Sequence, residues 1–130
     1  MTTTDAGLDA RILHQLPQLG AEHRRGLAHL LRTLVREFTP ERIYVFGSYA
    51  RGDATTDSDL DLLVLLPALP APVEALDRRA REVAGPRGFP VDLVFMTRAR
   101  FEERLPALAS LPATVAREGK PVYDSGRAAA

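Results

Sequence analysis

The sequence predicts an α/β (α+β) domain, with helices flanking a small sheet. Three observations carry the prediction. A leucine-rich helical pattern ends at Thr39-Pro40, apolar strand-like runs fall at residues 42–46, 60–66 and 90–96, and helical spacing returns between and after those runs.

Leu8, Ile12 and Leu16 share one face of a first short helix, which Pro17 and Gly20 end. Leu27, Leu30, Leu31, Leu34, Val35 and Phe38 recur at helical spacing in a second. A strand over Arg42–Phe46 stops at Gly47-Ser48, and a helical turn or two follows Ser48. The second strand runs from about Leu60 to Leu66. Pro67, Pro70 and Pro72 make a stiff connection. Val73, Leu76, Ala80 and Val83 mark an amphipathic helix closed by Gly85-Pro86. Pro90–Met96 reads as a third strand, and Thr97 can cap the helix after it. Pro106 and Pro112 divide the tail into short helical pieces, and Val122-Tyr123 can add a last strand. The expected organisation is one domain over 1–130: N-terminal helices at 8–38, a core at 42–96, and C-terminal helices and tail at 97–130.

Composition narrows the chemistry. The 130 residues include no cysteine, which excludes disulfides, thiolate metal sites and Cys nucleophiles. Basic and acidic residues balance at 17 each, so no strong nucleic-acid binding and no pull toward anionic membranes is expected. The opening MTTTDAGLDA has neither the basic start nor the apolar core of a signal peptide, and the longest apolar run is too short and proline-rich to span a bilayer. The expected location is the cytoplasm.

Between Phe46 and Val64 the chain reads FGSYARGDATTDSDLDLLV. Residues two apart on a strand point the same way, about 6.6–7 Å between Cα atoms, so Asp59 and Asp61 project together. Two converging carboxylates beside Leu60, Leu62, Leu63 and Val64 repel each other and resist desolvation. One can stay protonated, an arginine can neutralise them, or a hard divalent cation can sit between them. Mg²⁺ suits the last case, since it takes a few carboxylate oxygens together with water and substrate phosphate. Asp92 interrupts the apolar run Pro90–Phe95. It is either a core acid paired with arginine or the third member of a metal site, if its strand lies beside that of Asp61. Gly47 allows a tight turn and close approach of a ligand. The amides after it and the Ser48 hydroxyl can cradle phosphate, with Arg51 pairing to outer phosphates. Taken singly, each feature also has an ordinary structural reading: a plain turn, a cap, a surface charge, or Tyr49 simply packing. Their conjunction in one short stretch points to metal-assisted chemistry on a nucleoside triphosphate.

The stretch resembles the DNA polymerase β-like nucleotidyltransferase superfamily. The pattern is a hydrophobic residue, Gly, Gly or Ser, a spacer, D-hydrophobic-D and a later third acid, and here it reads Phe46-Gly47-Ser48, Asp59-Leu60-Asp61 and Asp92. The longer string is similar to the minimal nucleotidyltransferases, the MntA-type antitoxins. The resemblance implies a mixed sheet, ATP with a pair of Mg²⁺ ions, and transfer of a nucleoside monophosphate to a hydroxyl with release of pyrophosphate. It implies that Asp59, Asp61 and Asp92 bind metal and that Gly47 and Ser48 hold phosphate. In those antitoxins the acceptor is a tyrosine of a HEPN-domain (HepT-like) toxin. Transfer to a small hydroxylated molecule such as an aminoglycoside, and a non-catalytic nucleotide- or toxin-binding module, are the alternatives.

Overall fold

A computed structural model describes residues 3–55, 57–85 and 90–126, with side chains from residue 7 onward. Its elements are α1 (Thr3–Gln15), α2 (Ala21–Phe38), β1 (Arg42–Phe46), α3 (Ser48–Arg51), β2 (Leu60–Leu66), α4 (Val73–Ala84), β3 (Val91–Thr97), α5 (Arg98–Arg104), α6 (Leu111–Glu118) and β4 (Lys120–Asp124). The strands form one mixed sheet in the order β3-β2-β1-β4. β1 runs antiparallel to both β2 and β4, whereas β2 and β3 are parallel, joined by the α4 crossover that a parallel pair requires.

Side-chain alternation assigns the layers. From β1, Ile43 and Val45 face α1, α2 and α4, where they meet Ile12, Leu31 and Leu34. Tyr44 and Phe46 face α5 and α6, around Phe101 and Val115. The central strand β2 has helices on both faces and is buried from Leu62 to Leu66, which explains its uninterrupted apolar sequence. Two ring pairs tie the layers to the sheet: Phe38 with Phe95 at 5.2 Å, and Tyr44 stacked on Phe101 at 5.9 Å. Glu41, almost fully buried ahead of β1, receives a hydrogen bond from Arg98 at 2.9 Å and so fastens α5 to the sheet.

The helix ends follow local chemistry. Thr39 closes α2 in the left-handed region (φ 44°), and Pro40 follows it. Thr97 caps α5 by accepting from the Arg100 amide at 3.0 Å. The tail is divided into two short helices, α5 and α6, as expected; Pro112 lies in the first turn of α6, where its missing N–H costs nothing, and Ser110 supplies the cap. β4 is longer than Val122-Tyr123 and carries an irregularity opposite Ile43/Tyr44, next to Pro121. Proline is tolerated there because β4 is an edge strand. The Pro86 part of the expected close of α4 lies outside the described residues; Gly85 caps the helix.

Candidate active site

The site forms at one end of the sheet, where β1 finishes and β2 and β3 begin. Gly47 leaves β1 with φ 75° and ψ −153°, a conformation essentially confined to glycine. A Cβ at this position would collide with the Asp61 carboxylate. The glycine therefore does two things: it turns the chain into α3, and it leaves room for an acid against the backbone. The amides of Ser48 and Tyr49 have no carbonyl partner inside so short a helix, and its N-cap, Gly47, has no side chain to cap them.

Asp61 is the hub. It is paired in register with Phe46 of β1 on one side and with Asp92 of β3 on the other. Paired residues on adjacent strands share a face of the sheet, so the Asp61 and Asp92 carboxylates stand side by side. Asp59 lies just before β2, two residues back and on the same side. Asp92 is not the core acid its apolar flanks suggested. It is solvent-exposed, because β3 is an edge strand and α5 covers only the far part of this face. Asp59 is exposed as well, and Asp61 is half-buried.

The electrostatics agree with this placement. Burial pushes the Asp61 pKa above its ordinary value, the Asp92 and Asp59 charges push it further, and Arg51 opposes them. Among the described residues none of the three acids forms an ion pair, so an arginine does not neutralise the group. Arg51 instead bridges Asp53 (3.3 Å) and Glu118 (3.7 Å). Glu118, from the end of α6, is a partner that no local sequence signal could have revealed. Tyr49 turns away from the acids, packs on the α1–α2 side and lines a cavity there.

Among the described residues, no group of three or more His, Cys, Asp or Glu side chains stands arranged to hold a metal ion. The chemistry of the three acids still suits a hard divalent cation: carboxylate oxygens only, mutually repelling, in no ion pair among the described residues, beside a turn whose first amides find no backbone carbonyl. Mg²⁺ sites of this kind use one or two carboxylates and are completed by substrate phosphates.

The family model described as the nucleotidyltransferase domain matches residues 27–119, a span that contains all six candidate residues. Among solved structures, a candidate nucleotidyltransferase from Sulfolobus solfataricus superimposes with a TM-score of 0.50 at 20% identity, covering 79% of this chain and 82% of that one. A toxin-antitoxin with AMP-PNP is similar at a TM-score of 0.48 and 25% identity, covering 76% and 74%. A mutant of the toxin-antitoxin MntA-HpeT gives 0.47 and 23%, covering 75% and 73%. The first of these likenesses speaks to the fold alone. No curated protein matches the chain. With the family model running from within α2 to the residue before β4, the chain belongs to the nucleotidyltransferase domain family.

Proposed function

We propose that this chain moves AMP from ATP to a hydroxyl on a partner protein in the cytoplasm, acting as an antitoxin that silences a HEPN-domain toxin by AMPylating a tyrosine. The observation that carries the transfer chemistry is the register pairing of Asp61 with Asp92 beside the Gly47 turn. The partner and the antitoxin role rest on the resemblance of the GSYARGDATTDSDLDLLV string.

In this reading the Ser48 and Tyr49 amides and the Ser48 hydroxyl hold the outer phosphates, with Arg51 released from Asp53 and Glu118 to join them. Asp59, Asp61 and Asp92 would hold Mg²⁺, which when bound supplies charge neutralisation for the phosphates and the attacking oxygen. The acceptor oxygen attacks the α-phosphorus, the bond to the bridging oxygen breaks, and pyrophosphate leaves with the electron pair. Asp92, exposed at the sheet edge, can be reached by a hydroxyl arriving from solvent and takes its proton.

Incubation of the chain with α-labelled ATP, Mg²⁺ and a HEPN-domain toxin tests the proposal. Label on a toxin tyrosine, lost with Asp59→Asn plus Asp61→Asn, is the expected result. Label only on added aminoglycosides would move the acceptor to a small molecule. Tight toxin binding without transfer, unchanged by the double substitution, would replace catalysis with neutralisation by contact.

A further inference from the structure

On the α1–α2 side of α3 lies a cavity of about 550 Å³, a volume that suits a nucleotide-sized molecule. Its walls come from three segments distant in sequence: the α1–α2 connector with the start of α2, the α3 turn and the loop after it, and the first residue of β4. Among the described residues no carboxylate lines it. In a chain with as many acids as bases, the described lining therefore carries one positive charge and no negative one.

The charge comes from Lys120, the chain's sole lysine. It is half-buried, and its ammonium makes no ion pair among the described residues. Arg42, Arg51, Arg79, Arg81, Arg98 and Arg100, by contrast, each face a carboxylate. A partly desolvated ammonium without a counter-charge is costly, and an anion entering the cavity offsets that cost. The remaining groups suit the rest of such a ligand. Gln15, Gln18 and Thr55 offer donors and acceptors, His23 and Tyr49 offer flat rings, and Leu16 and Leu19 add apolar wall. The start of α2 at Gly20, which carries no side-chain cap, opens on the same space and adds the positive end of an 18-residue helix.

We propose that this cavity is a metal-independent binding site for a small organic anion with a planar ring, of nucleoside-monophosphate size, separate from the Gly47-Ser48 turn. Chemistry distinguishes the two sites. The three aspartates can tolerate a nucleotide only through a divalent cation, whereas Lys120 meets an anion directly. The inference stands whether or not the chain transfers AMP to a protein.

Calorimetric titration of the full chain with AMP in excess EDTA tests it. The expected result is one bound AMP, weakened about tenfold or more by Lys120→Met, as for the loss of a hydrogen bond to a charged group. Gln18→Glu, which brings a carboxylate into the wall at an exposed position, should weaken it similarly while leaving the thermal melt unchanged. Asp59→Asn plus Asp61→Asn should leave AMP affinity intact. If Lys120→Met fails to fold, Gln18→Glu decides. The proposal is overturned if AMP does not bind in EDTA, if Gln18→Glu has no effect, or if the aspartate substitutions abolish binding.

Discussion

Replacing Gly47 with alanine probes the site with a single methyl group. The backbone there sits at φ 75°, ψ −153°, where a non-glycine residue costs about 1–3 kcal/mol. The new Cβ also meets the Asp61 carboxylate, and relieving such overpacking costs typically about 1–3 kcal/mol more. The expected loss is therefore about 2–6 kcal/mol, a large share of the roughly 5–15 kcal/mol that holds a domain folded. Urea melts followed by circular dichroism measure it. A double-mutant cycle with Asp61→Ala separates the two contributions, because removing the carboxylate relieves the collision and leaves the backbone cost. The double variant should be more stable than the sum of the single effects by about 1–3 kcal/mol. Since the surviving protein would hold Asp61 out of place, nucleotidyl transfer by Gly47→Ala should fall about hundredfold, as for a displacement of about 1 Å in a reacting group. A coupling of zero in the cycle would refute the claim that Gly47 makes room for Asp61.

Three further outcomes follow from the same geometry. The Asp61 pKa is raised in the folded chain, so the folded state binds that proton more tightly than the unfolded one; the associated stability is fully present below 3.8 and is lost as the pH rises through the raised value. Asp61→Asn should thus melt at a higher temperature than the parent at neutral pH, with the advantage gone in acid below 3.8. Mg²⁺ should raise the melting temperature of the parent protein, because a cation relieves the repulsion among three carboxylates, and should do nothing for Asp59→Asn plus Asp61→Asn. Ser110→Ala removes a cap that accepts from the Ala113 amide at 3.2 Å and donates to the Arg104 carbonyl at 2.8 Å, and should cost about 1 kcal/mol in chemical denaturation without altering transfer.

Much of this molecule was legible in the linear chain. The helix stops at Thr39-Pro40 and Gly85, the Thr97 cap and the three principal strands depend on local chemistry, which neighbouring residues announce. Gly47, Ser48, Asp59 and Asp61 were equally readable, since a turn and the strand after it fix their spacing. What could not be read depends on tertiary placement. Asp92 lies in an apolar run that resembles a buried strand, and only its position at the sheet edge makes it exposed. Arg51 pairs with Asp53 close by and with Glu118 on α6, far along the chain, and the second of these partners left no local trace. The Lys120 cavity is assembled from three separate segments and leaves no local pattern at all. That Pro112 opens α6 and does not precede it depends on Ser110, which sets the boundary of a helix whose first turn proline suits.

The route by which Asp92 reaches Asp61 also sets when the site can exist during folding. Gly47 and Asp61 belong to an antiparallel hairpin-like pair, close in sequence and cheap in entropy to bring together. Asp92 arrives only after the α4 crossover has packed and β3 has joined alongside β2, a non-local pairing that such topologies form late. A chain emerging from synthesis or recovering from denaturant would form the Gly47-Ser48 turn before Asp92 arrives, and on the proposed function recovery of transfer should lag behind recovery of helical signal. Competence would then mark the completion of folding, with no half-built form able to consume nucleotide.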